Sequence, residues 1–317
     1  YSKQFSSLII LFMYDIIILA YTYLIALLHI FMKILVFGKG FLGHNIIQTC
    51  ENLDISAFAT EHGNKNKELF VDVRDQKSID KIITSIEPNV LINCVADLRL
   101  DFLQQNPERA YSINSDGAKN IAVSASKYGL KLIHISTDSV FDGKKELYTE
   151  DDIPNPLNVY AKSKHLAENY VSEFCKNSVI IRANFYGHNI HGRFLFNWIY
   201  NMLKENKEIN GFTDVIFSPL EISNFSEFLV ELSSTNYNGI LNLSSGVPIS
   251  KYNFARKIAN VLNFNEKLIH KSTLESSTLV APRPKNTSLS NKKMKSFLKT
   301  PITSLESWLK STYNVPD

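Results

Sequence analysis

The chain has 317 residues, 44% hydrophobic and 21% charged, with 34 Lys+Arg against 31 Asp+Glu for a formal charge of +3. This excludes a disordered chain, which needs low hydrophobicity and high net charge, and 12 glycines exclude a collagen-like repeat. So even a charge makes no electrostatic case for nucleic acid as a partner. Three widely spaced cysteines (Cys50, Cys94 and Cys175) form neither a disulfide framework nor a CxxC metal site, which suits a reducing, cytoplasmic setting.

In chain order, the first feature is an apolar run over residues 8–31, broken only by Asp15, Thr22 and His29. It is long enough to cross a bilayer as a helix, although Asp15 would cost roughly 2.5–3.5 kcal/mol near the bilayer centre. The competing reading starts the working chain at Met32, where MKILVFGKGFLG opens directly into a strand. Under that reading residues 1–31 are not part of the folded protein, and this is the expectation. A membrane is a partner only if the run is a genuine anchor.

From Met32 short apolar strands alternate with helical segments. Strands are predicted over 33–38, 55–60, 69–71, 90–94, 131–136 and 178–182, and helices over 41–53, 78–86, 107–128 and 159–174. Strands apolar on both faces and separated by helices predict an α/β, doubly wound parallel sheet over residues 32–182. Beyond residue 183 the rhythm loosens into predicted helices over 194–206, 224–232 and 250–262 and a strand over 240–243. That half, 183–317, reads as a smaller substrate lobe.

Two constellations carry chemistry. Gly38-Lys39-Gly40-Phe41-Leu42-Gly43 is a GxGxxG between the first strand and the first helix. Its glycines permit a tight turn and close approach of a pyrophosphate, which would sit on the positive helix N-terminus, as in a Rossmann fold. Glu61 follows at the distance expected of a ribose-binding acid, favouring NADH, yet Lys65 and Lys67 are near enough to neutralise the 2′-phosphate of NADPH. The cofactor therefore stays open between NADPH and NADH. Asp72, in Phe-Val-Asp-Val-Arg, would bond the adenine amino group or else cap a turn. The second constellation is Ser136-Thr137-Asp138 at a strand end with Tyr160 and Lys164 on a later helix. Four residues apart, Tyr160 and Lys164 share a helix face. An ammonium beside a phenol stabilises its phenolate, and a threonine hydroxyl orients the reacting oxygen.

These residues, with Asn93, Asn114, ISTDSVFDG (135–143), PLNVYAKSKHLAE (156–168), VIIRANFYG (179–187) and APRPKNTSLSNKKM (281–294), resemble the extended short-chain dehydrogenase/reductase superfamily. Within it they are similar to the dTDP-4-dehydrorhamnose reductase family. The resemblance runs from Met32 to about Met294. It implies reduction of the C4 ketone of a nucleotide-linked 4-keto-6-deoxy sugar by NADPH or NADH, in surface-polysaccharide sugar synthesis. Thr137, Tyr160 and Lys164 would be catalytic. Gly38, Gly40, Phe41, Leu42, Gly43, Glu61, Asp72, Val73 and Asn114, with Tyr160 and Lys164, would hold the cofactor. Thr137, Asp138, Asn184 and Arg283 would hold the substrate. Lys164 would also lower the tyrosine pKa, with Asn114 supporting it through a water.

Three departures bear on this. The glycine loop is one residue shorter than the GxxGxxG of many relatives, Asp97-Leu-Arg-Leu-Asp101 replaces a segment close to HTAVDKAE, and Arg182-Ala-Asn-Phe-Tyr-Gly lacks the tryptophan of the reductases. An NDP-sugar 4-epimerase is the alternative on the same scaffold; a dehydratase would carry Thr-Asp-Glu, whereas Thr137 is followed by Asp138-Ser139. A non-catalytic subunit resembling the beta subunit of methionine adenosyltransferase is a further alternative. The pair His188 and His191 is read as polar lining of the sugar site, with no metal expected. A homodimer stays open.

Overall fold

The computed structural model describes residues 32–62, 69–189 and 194–316. The apolar run over 8–31, Lys65, Lys67 and His191 lie outside these. Among the described residues no helix is long and apolar enough to cross a membrane.

Six strands form one parallel sheet: β1 (Lys33–Phe37), β2 (Ser56–Ala59), β3 (Val90–Asn93), β4 (Lys131–Ile135), β5 (Ser178–Ala183) and β6 (Gly239–Leu243), in the order β6-β5-β4-β3-β1-β2. Strands β3, β4 and β5 are buried at every residue, the signature of a sheet covered on both faces. Side chains alternate between those faces. Ile34, Val36, Ile92, Ile133 and Ile181 pack under α1 (Phe41–Asn52) and, later in the chain, the helix Ile222–Ser233. Leu35, Phe37, Leu91, Leu132 and Ile180 face α2 (Gln76–Ile86), α3 (Gly117–Lys127) and α4 (Val159–Phe174).

Four expectations change. The strand predicted over 69–71 is reduced to a single bridge, Glu61 with Phe70. Beyond Val71 the Asp72 carboxylate folds back on the Arg74 guanidinium, at 2.6 and 2.9 Å, and turns the chain toward α2. The single helix predicted over 107–128 is broken by a π-helical segment, Tyr111–Asp116, between Pro107–Ala110 and α3. The strand predicted over 240–243, placed by its sequence position in the second half, is β6, the edge of the main sheet beside β5. The helix Ile222–Ser233 likewise belongs to the layer under the sheet, since Phe225, Phe228 and Leu229 join the core of β1 and β5.

What remains of the C-terminal half makes a separate core. Phe196 and Ile199 of α5 (Leu195–Lys204) meet Phe254 and Ile258 of a later helix, Lys251–Val261, and Leu309 of the last, Leu305–Tyr313. Three small two-stranded ladders occur among the described residues of this half: Ile209–Phe212 beside Ile269–Ser272, Ile216–Phe217 against Ile249–Ser250, and Phe185–Tyr186 beside Leu220–Glu221. The two cores meet at the C-terminal ends of the sheet strands, where an open α/β sheet forms its crevice.

Candidate active site

The first wall of the crevice is the turn from β1 into α1. Gly38 has φ +96° and donates its N–H to the Thr60 hydroxyl at 3.1 Å. At Gly43 an added Cβ would run into the Gly38 carbonyl, so only glycine lets helix and strand approach this closely. At Gly40 an added Cβ would meet nothing within 4 Å, and Gly40 caps α1 with no side-chain bond. The helix N-terminus is thus open to an anion. These features fit a dinucleotide pyrophosphate on Gly38, Gly40, Phe41, Leu42 and Gly43. Gly43→Ala is expected to lower stability by about 1–3 kcal/mol and to weaken dinucleotide binding, read by thermal unfolding and titration with NADPH. Unchanged values in both would refute the close packing.

Glu61 follows β2 and lies 3.5 Å from the Lys39 ammonium, an acid and a base together beside the glycine turn. Asp72 is committed to Arg74: side-chain bonds from that guanidinium outweigh burial and hold its carboxyl at about 2. Val73 lies against Gly117 at the start of α3, and its carbonyl accepts from Asn120 at 3.0 Å.

The second wall is α4 against the end of β4. Asn158 caps this helix by accepting the Ala161 N–H at 2.9 Å. Tyr160 and Lys164 face inward one turn apart, 8% and 2% exposed. The Thr137 side chain lies near enough to the Tyr160 phenol to lower its pKa, while its hydroxyl donates to Asp138 at 3.2 Å, so Thr137, Tyr160 and Lys164 gather at one place. Burial pushes the phenol well above its ordinary pKa, Thr137 opposes this, and the Asp138 charge adds to it. Lys164 Nζ donates to the Ile135 carbonyl at 2.7 Å, and burial lowers its pKa to about 8 against the pull of Glu168 and Cys94. Lys164 is not among the groups acting on the phenol in this state; burial is the dominant influence there.

Asn114 sits in the π-helical segment and bonds the helix that bears the lysine. Its amide donates to Ser163 Oγ at 3.0 Å, and its carbonyl accepts the Asp97 N–H at 2.8 Å. π-Helical turns inside longer helices commonly mark functional positions, and here the surplus residue brings Asn114 and Ser115 together onto Ser163.

Asp138 is the centre of a buried polar cluster at the end of β4. Its carboxylate accepts from Thr287 at 2.7 Å and from Asn184 at 3.1 Å, and burial raises its pKa. The Lys251 ammonium feels the same carboxylate and rests 3.3 Å over the Phe217 ring. Arg283 pairs with Asp101 at 2.8 Å, tying the strap after residue 280 to the short helix Leu100–Gln105. Gly143, with φ +78°, lets the same strap pass: an added Cβ would lie 2.6 Å from the Lys285 nitrogen. His188 bonds the Tyr313 hydroxyl at 3.0 Å, at the end of the last helix.

Sequence reasoning missed Lys251, Thr287 and His134. Lys251 reaches the site from the second core with no local motif around it, while Thr287 lies within the 281–294 segment, where its bond to Asp138 is revealed only by tertiary packing. His134 sits inside β4, where a lone histidine in an apolar strand reads as core.

Residues 32–315 match the family model described as RmlD substrate binding domain. Among curated relatives, the spore coat polysaccharide biosynthesis protein SpsK of Bacillus subtilis is 29% identical over 264 residues, 82% of this chain and 89% of the relative. Methionine adenosyltransferase 2 subunit beta of Rattus norvegicus is 28% identical over 245 residues, 72% of this chain and 70% of the relative. The crystal structure of dTDP-4-dehydrorhamnose reductase from Bacillus anthracis in complex with NADP superposes with a TM-score of 0.79 at 26% identity, over 90% of this chain and 98% of that one. With a glycine turn built for a pyrophosphate and a Thr-Tyr-Lys trio behind it, the chain belongs to the RmlD substrate-binding-domain family of sugar-nucleotide reductases, within the extended short-chain dehydrogenase/reductase superfamily.

Proposed function

We propose that the protein reduces the C4 ketone of a nucleotide-linked 4-keto-6-deoxy sugar with NAD(P)H, in the supply of a sugar for surface polysaccharide. The observation that carries this is the buried Tyr160 phenol with Thr137 beside it and Lys164 one helical turn away on the same helix. The bound nicotinamide supplies the hydride. Tyr160 supplies the proton: its raised pKa keeps it a phenol at neutral pH, the form a donor needs. Thr137 aligns the ketone oxygen with that proton. Asp138, held by Thr287 and Asn184, faces the sugar hydroxyls, and Arg283 braces the strap on the nucleotide side.

The test is a panel of nucleotide-linked 4-keto-6-deoxy sugars with the full chain, following loss of reduced nicotinamide with NADH and NADPH separately. Substrate-dependent oxidation by at least one member is expected. Protein that arrives loaded with NAD and interconverts C4 epimers without added cofactor would instead establish an epimerase. Binding of dinucleotide without turnover of any member would favour a regulatory subunit, a reading already opposed by the intact trio.

A further inference from the structure

Lys164 has a second neighbour besides the Ile135 carbonyl. His134, fully buried in β4, places Nε2 3.4 Å from Lys164 Nζ. On its other side, Nδ1 lies 3.1 Å from Nδ2 of Asn93, its register partner in β3, so both side chains leave the same face of the sheet.

The protons in this chain of contacts follow from one backbone amide. Val95 N–H needs an acceptor, so the Asn93 atom 3.0 Å from it is the carbonyl oxygen Oδ1. Nδ2 is then the amide donor, and the ring atom it faces, Nδ1, must accept and carries no proton. A neutral imidazole in that state bears its proton on Nε2, pointing at Lys164. Against an ammonium this N–H sets two donors face to face. Against a neutral amine it is a hydrogen bond to the lone pair. The bond from Lys164 to the Ile135 carbonyl is available to both forms and does not choose between them.

We propose that Asn93 and His134 are positioning residues that fix the Nε2–H tautomer against Lys164, making its ammonium a ready proton donor that recharges Tyr160 after each reduction. This rests on Tyr160 and Lys164 acting as the catalytic pair. In the step, the Lys164 ammonium gives one proton to the Tyr160 phenolate, directly or across a bridging hydroxyl. The phenol re-forms, the lysine is left an amine whose lone pair accepts the His134 N–H, and the amine takes its next proton from water. The other groups facing Lys164 are Glu168, one turn further along α4, and Cys94 after β3, and both favour the ammonium. Tyr160 faces Thr137 and Asp138. Burial already lowers the lysine to about 8 against Glu168 and Cys94, and the tautomer lock acts in the same direction as burial.

Two measurements test this. Ring-nitrogen NMR of ligand-free protein should show His134 protonated on Nε2 alone and neutral from about pH 5 to 9; a Nδ1–H tautomer, or a titration in that range, overturns the proposal without any turnover. In the pH profile of kcat, His134→Leu should move the alkaline limb up by about one unit, while His134→Gln, which keeps an N–H, stays near wild type. A limb that His134→Leu leaves in place, or that both variants move equally, overturns it as well. Tyr160→Phe separates the two levels: if that variant turns over normally the catalytic reading itself fails, and if it is dead while the His134 results are negative, only the relay fails.

Discussion

Tyr160→Phe should lower kcat at least about a hundredfold with little change in cofactor affinity, measured as steady-state nicotinamide oxidation with the best member of the ketone panel. Phenylalanine keeps the ring and its packing against Leu103, Ala110 and Ala161, so the fold is retained and the proton alone is lost. None of the groups around it can replace that proton. Thr137 has an alcohol too weakly acidic to serve, and Asp138 is bound up with Thr287 and Asn184. Turnover within a few-fold of wild type would remove Tyr160 from the chemistry and move the search to another donor.

The largest effect on stability is expected at Arg182→Met. Arg182 and Glu168 are each 2% exposed and meet at 2.8 Å, with Ser136 Oγ donating to the same carboxylate at 2.5 Å. Burial pushes the Glu168 carboxyl up, and the bonds from His165, Arg182 and Ser136 together outweigh it, leaving the carboxyl below its usual range. Removing the guanidinium strands a buried carboxylate, at a cost of about 3–5 kcal/mol, read by urea or thermal unfolding. The sign with pH follows. A depressed carboxyl contributes stability above its unfolded pKa and loses it as pH falls through the folded value, so the deficit of Arg182→Met should be full at neutral pH and shrink under acid. Replacing both partners by methionine should recover much of the loss, since the uncompensated charge is then gone. A single-variant loss under about 1 kcal/mol would show that the pair is not sealed from solvent.

Much of the site was legible because its parts lie in short stretches whose local geometry is fixed. Tyr160 and Lys164 are brought together by the pitch of one helix, and Gly38, Gly40 and Gly43 by one turn. What was not legible depends on distant packing. The π-helical segment arises where Asn114 and Ser115 are drawn to Ser163, 49 and 48 residues away, and no periodicity within 107–128 announces it. Residues 69–71 have the apolar character of a strand, yet the Asp72–Arg74 turn ends pairing after one bridge. Arg283 was placed near the nucleotide by its motif; its partner Asp101 comes from the segment that departs most from the reductases, so the resemblance could not supply it. The apolar alternation of 240–243 gave a strand correctly but carried no address, because only β5 decides which sheet it joins.

That last feature has a bearing on how the molecule is made. A nascent chain emerging from the ribosome can lay down β1 to β5 early, yet the free side of β5 waits for Gly239–Leu243, more than fifty residues later. Until then a fully apolar-rich edge with unpaired amides is exposed, the kind of surface on which neighbouring chains aggregate. Chaperone capture during synthesis should therefore end only after β6 has left the exit tunnel.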